Sequence, residues 1–172
     1  HFGPNQVQAL PAVGALTAAA FVLQTIMIPV PGGTSTHLVG AALLALAQGP
    51  LVAFVCESLV LLVQALFFGA GGITVLGVNA LAMGLLGPLC AWLVFRGLRR
   101  AWPSLAALLA AYLGMQVSTL AVALTLGLQH HLSSAIFPTP FPVMITAMMV
   151  PSLTLAGIVE GLYTMLALRL LE

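Results

Sequence analysis

Charge is what this chain has least of. Lysine and aspartate do not occur, and four Arg and three Glu make up all of the charged residues, 4% of 172. A soluble domain carries about 25% charged residues, because something has to coat its surface. With 62% hydrophobic residues and a mean hydropathy of +1.20, this chain has to find its solvent in lipid. The missing lysine also rules out a phosphate-binding loop ending in Lys-Ser/Thr, and with it ATP hydrolysis by that route. No His-Glu-x-x-His pair and no Gly-x-Ser-x-Gly elbow occurs, and no nucleophile stands at usable spacing from a base, so enzyme chemistry has no foothold. A net charge of +1 excludes the electrostatic footprint of a nucleic-acid binder. Cys56 and Cys90 both lie in apolar runs and read as small core residues rather than a disulfide or half a metal site.

Apolar length is plentiful. At about 20 residues per spanning helix the chain has room for five to seven spans. Proline, glycine and polar punctuation divides it into apolar stretches at 11–30, 38–48, 50–68, 73–95, 104–128 and 143–168. The expected fold is all-α, a polytopic transmembrane bundle of about six helical segments. The 38–48 piece would span only roughly 17 Å, so it is either a short helix inside the bundle or re-entrant. Pro29 to His37 is the densest turn cluster, and Gly69-Ala-Gly-Gly72 is a second one. Arginine favours the cytoplasmic side of a membrane. Arg96, Arg99 and Arg100 on one loop and Arg169 at the last helix end agree with one alternation, which puts both glycine-rich loops on the external side.

Each polar side chain in such a chain is informative, because it is costly in lipid. Glu57 and Glu160 stand within apolar runs with no intramembrane Arg or Lys to pair with. They read either as a proton or cation relay or as hydrogen-bonded groups that pin helices together. Gln24, Gln64 and Gln116 read as interhelical hydrogen-bond glue. The spacings Gly14-xxx-Ala18 and Ala15-xxx-Ala19 would permit close helix approach, a weak signal in an alanine-rich run. His37 follows Gly-Gly-Thr-Ser-Thr and stands where the short helix begins. Imidazole is the commonest protein ligand for borderline transition metals, although a single His also serves as a capping or hydrogen-bonding residue. His130 and His131 are adjacent, so on a helix they point about 100° apart and read as an interfacial pair. Asn79, just beyond the second glycine loop, either faces His37 or holds that loop.

The run P-V-P-G-G-T-S-T-H-L-V-G (29–40), G-P (49–50), L-L-V-Q-A-L-F-F-G-A-G-G-I-T-V-L-G-V-N (61–79) and M-G-L-L-G-P (83–88) resembles the CbiM/NikM family. These are the substrate-capture membrane subunits of cobalt and nickel energy-coupling-factor ABC transporters. The closing P-S-L-T-L-A-G-I-V-E-G-L-Y-T (151–164) is similar to the family's last helix. The resemblance implies a helical bundle, usually of seven spans, in which a Met-His amino terminus and a His from a Ser-x-His loop hold the metal near the outer face. His37 matches that loop ligand, with Asn79 and Ser35 beside it. The whole of 1–172 then forms one transmembrane domain, expected to lack the family's first helix. His1 is a poor match for the terminal ligand, because the 11–30 helix would separate it from His37 by a bilayer. Ala70, Ala82 and Ser152 stand where Asp, Asn and His are frequent in the family.

The resemblance implies uptake of Co(II) or Ni(II), carried as cargo with no resident cofactor, across a bacterial or archaeal plasma membrane. It implies a transmembrane coupling subunit and two ATPase subunits as partners, with a small accessory membrane subunit as a further candidate. The alternatives are a vitamin-capture subunit of the same transporter type and a membrane scaffold that binds nothing small.

Overall fold

The computed structural model describes residues 4–30, 34–132 and 139–171. Helix α1 is Pro4–Thr25. A two-stranded antiparallel ribbon follows, β1 Ile28–Val30 and β2 Thr34–Thr36, with Pro29 opposite Ser35. The short α2, Ala41–Gln48, leads into four long helices: α3 Pro50–Phe68, α4 Ile73–Leu98, α5 Pro103–Leu132 and α6 Phe141–Leu171. Each of these four is long and apolar enough to cross a membrane, and Leu59, Phe67, Leu93 and Leu128 on them are exposed as lipid-facing residues would be. The expected all-α bundle of six segments is therefore present, with the ribbon as its one extended element among the described residues.

The first segment differs from the expected 11–30 helix at both ends. It begins at Pro4 and runs through Pro11, whose missing N–H is tolerated in spanning helices where neighbouring groups re-satisfy the backbone. It stops at Thr25 because Pro29 disfavours helical geometry at Ile28, and the β-branched Ile28 and Val30 suit the ribbon instead. Gly14, Ala15 and Ala18 face outward, so their small-residue spacing joins nothing within the described chain. Ala20 makes the close approach instead. A Cβ added to Gly40, which has φ +73°, would sit 3.0 Å from the Ala20 Cα.

Close packing of α4 on α5 rests on small residues. Ala91, Ala106, Ala107, Ala110 and Ala111 are buried in one cluster. Gly87 and Gly114 face each other so tightly that a Cβ on either would lie 2.8 Å from the other's carbonyl oxygen. Such contacts replace the hydrophobic drive that lipid does not supply between helices. A Gly87→Ala Cβ would also overlap the Ser118 hydroxyl. Overpacking of this kind costs about 1–3 kcal/mol, read as a lower unfolding temperature in detergent. Gly97→Ala, with open space around its Cβ, is the neutral comparison.

Wide π-helical turns interrupt three spans, at Gln64–Phe68, Ala80–Leu86 and Ser152–Ala156. Side chains of α5 donate to carbonyls of two of them. Ser118 Oγ reaches the Ala82 oxygen at 3.0 Å, Gln116 Nε2 the Ser152 oxygen at 2.9 Å, and Tyr112 the Leu153 oxygen at 2.9 Å. At the opposite end of the bundle, Arg169 donates through Nε and Nη2 to Ser104 Oγ at 2.9 and 2.6 Å. The last helix end thus returns beside the Arg96–Arg100 loop, as the arginine alternation requires.

Candidate metal-binding site

The segment from His37 to Gly40 is irregular backbone inside a helical bundle, which lipid permits only where protein satisfies its polar groups. Two buried carboxylates organise that satisfaction around residue 39. The Glu160 carboxylate accepts the Val39 N–H at 2.9 Å on one oxygen and the Gly40 N–H at 2.8 Å on the other. On the other side of the chain, Gln24 Nε2 donates to the Val39 carbonyl at 2.8 Å and to Glu57 Oε1 at 2.6 Å. Gln24, Glu57 and Glu160 are at most 1% exposed, so these bonds have no water to compete with them. Of the two readings of Glu57 and Glu160, the geometry is that of the pin.

His37 leaves this anchored backbone two residues upstream. Its Nδ1 lies 3.1 Å from the Leu38 carbonyl oxygen. A carbonyl can only accept, so the bond requires Nδ1–H and leaves Nε2 as the nitrogen with a free lone pair. Metal-binding histidines are commonly fixed in this way by a backbone carbonyl. Burial holds the imidazole below its ordinary pKa, a shift the Leu38 bond partly opposes, so the neutral, ligating form is favoured.

His37 lines a cavity of about 140 Å³ together with Thr36, Gln64, Gly71, Gly72, Asn79, Met83 and Thr119. Asn79 lies against Gly71, where a Cβ would come 2.8 Å from its Nδ2. Gly71 has φ +72°, a conformation only glycine adopts freely. A Gly71→Ala substitution is therefore strained and displaces the Asn79 amide. The expected result is about 1–3 kcal/mol of lost stability together with weaker ligand binding, whereas a loop with no part in binding would lose stability alone.

The other candidate positions are less connected. The ribbon places Ser35 opposite Pro29, and His1 lies outside the described residues. His130 and His131, rings 5.9 Å apart, are not among the cavity-lining residues. Among the described residues no three His, Cys, Asp or Glu side chains stand together as a metal cluster. Gln24 and Gln116 are interhelical glue, as their place in apolar runs suggests. Gln64 is not; its buried Nε2 has no partner among the described residues and it lines the cavity. Four methionines that also line the cavity, Met27, Met83, Met115 and Met148, have no distinguishing mark along the sequence.

A family model described as cobalt uptake substrate-specific transmembrane region, CbiM, matches residues 3–172. The chain is 37% identical over 171 residues to the fused nickel transport protein NikMN of Rhodobacter capsulatus, matching 91% of this chain and 49% of that protein. It is also 37% identical over 159 residues to the cobalt transport protein CbiM of Geobacter sulfurreducens, matching 90% of this chain and 45% of that one. The chain thus spans about half the length of these curated relatives. A crystal structure of a transition metal transporter superposes with a TM-score of 0.90 at 36% identity, over 99% of this chain and 78% of that one.

Proposed function

The chain belongs to the CbiM family, a family of multi-pass metal-transport proteins rather than enzymes, and from that premise we propose that it is a substrate-binding subunit for uptake of divalent cobalt or nickel. The observation that carries this reading is the pinned imidazole of His37 at a small cavity of about 140 Å³. An incoming ion exchanges water for His37 Nε2, and Asn79 holds the Gly71 loop that closes over it. The carboxylate pins on residue 39 keep the ring in place while the ion sheds part of its hydration.

Work must come from elsewhere, because a lysine-free chain has no phosphate-binding loop. A coupling membrane subunit and two ATPases supply it in this proposal, and a small accessory membrane subunit can join them. A cavity of about 140 Å³ argues against a vitamin, since pockets for molecules of that size run to about 300–1,000 Å³.

Equilibrium binding of radiolabelled Ni(II) and Co(II) to the purified chain in detergent tests the proposal. Each ion should displace the other, and Mg(II) should displace neither. The absence of His37-dependent binding would overturn it. The pH profile follows from the depressed imidazole pKa. Only the neutral ring ligates, and a free imidazole titrates near pH 6.5. Binding should therefore stay level between about pH 8 and pH 6.5 and fall only below that range. A fall already under way above it would contradict the assignment of the buried ring.

A further inference from the structure

We infer that the cavity beside His37 is also a thioether site for a soft monovalent cation, with Cu(I) the biological ligand class. Seven methionines in 172 residues would place fewer than one among its seventeen lining residues, and there are four, Met27, Met83, Met115 and Met148. They come from four separate places in the fold: the turn after α1, the π-helical turn of α4, the middle of α5 and the first half of α6. Methionine ordinarily fills irregular gaps in a core. Here a space of about 140 Å³ remains among them, room for roughly four or five waters at about 30 Å³ each.

The donor set decides the ion. Thioethers are neutral, soft and do not titrate, and with imidazole they select Cu(I) over hard cations. Among the described residues no carboxylate lines the cavity; Glu160 is taken up by the Val39 and Gly40 N–H groups, and Glu57 Oε1 accepts from the Gln24 side chain. Desolvation cost rises with the square of the charge, so a site built from neutral donors accepts a single charge far more readily than a double one. Gln64 supplies a second, independent sign of an occupant. It is 3% exposed, its Nε2 has no partner among the described residues, and turning the amide presents Oε1 to a cation. Imidazole-led capture of a divalent ion and thioether capture of a monovalent one share the cavity and differ in the residues they need.

The test uses Ag(I), a redox-inert probe of the same class, on the full chain in detergent with Cys56→Ala and Cys90→Ala, since thiols trap silver and neither cysteine lines the cavity. Titration calorimetry should give one Ag(I) per chain, and X-ray absorption should show sulfur neighbours. The triple variant Met83→Leu, Met115→Leu, Met148→Leu keeps volume and should weaken Ag(I) binding at least 100-fold, a far larger loss than any it causes in Ni(II) binding. Should the triple variant fail to fold, each single variant should weaken Ag(I) several-fold, and Met144→Leu, Met149→Leu and Met165→Leu should leave it unchanged. Unchanged Ag(I) affinity in the cavity variants, a shell of nitrogen and oxygen only, or no binding at all would each overturn the inference. Loss of Ni(II) binding in His37→Ala with Ag(I) still bound by sulfur would separate the two sites' chemistries.

Discussion

Replacing His37 with alanine should abolish capture of Ni(II) and Co(II) while leaving the bundle folded. Removing an outer partner that merely orients a ligand typically costs 10–100-fold in metal affinity, so deleting the imidazole itself should cost about 100-fold or more. The fold should hardly notice. The hydrogen bond given for His37 runs to the carbonyl of the next residue, and the neighbouring backbone is held by Glu160 and Gln24 rather than by the ring. An unfolding temperature within a degree or two of the parent, with binding lost, identifies a ligand. Asn79→Ala, which removes only the group packed on Gly71, should fall in the range of about 10–100-fold. If His37→Ala binds and transports as the parent does, the chain is a scaffold and the metal lands elsewhere.

Much of this arrangement was readable from the chain because lipid leaves few ways to hide a polar group. Scarce charge and long apolar runs gave the helical bundle, and Pro and Gly punctuation gave segments that, after the first, start and stop within a few residues of the observed helices. The misreading at 26–30 arose because an apolar run bounded by prolines satisfies a hydropathy pattern whether it is helix or ribbon. Backbone hydrogen bonding decides between them, and apolar length carries no record of it. His37 stood out because it follows a glycine-rich turn. Its positioning residues did not. Glu160 lies 121 positions from Val39 and Glu57 lies 33 from Gln24, and nothing along one strand of sequence links a carboxylate to a distant amide. The methionines of the cavity were invisible for the same reason, each being an ordinary apolar residue until four helical and turn elements bring them around one cavity.

Glu160 decides whether the two buried carboxylates are structural pins or proton carriers, and the readings predict opposite results. As a pin, Glu160 satisfies two buried backbone donors at 2.9 and 2.8 Å. Glu160→Ala orphans both, at about 1–3 kcal/mol each, and leaves a cavity besides. The unfolding temperature in detergent should drop on the order of 10 °C, and Ni(II) affinity should fall about 10–100-fold although Glu160 does not touch the ion. Glu160→Gln can accept one of the two N–H groups but turns its own NH₂ toward the other, so it should lie between alanine and the parent in both measurements. Glu57→Gln should be milder still, because an amide oxygen can take over the 2.6 Å bond from Gln24. Stability and affinity therefore decline together, in the order Glu57→Gln, Glu160→Gln, Glu160→Ala. A proton carrier behaves otherwise, since glutamine is nearly the shape of a protonated glutamate but cannot release the proton. Either glutamine variant would then stop transport outright while leaving unfolding temperature and equilibrium metal binding near the parent values. Measuring all three quantities on the same purified variants distinguishes the two, and the paired bonds on residues 39 and 40 predict the graded outcome.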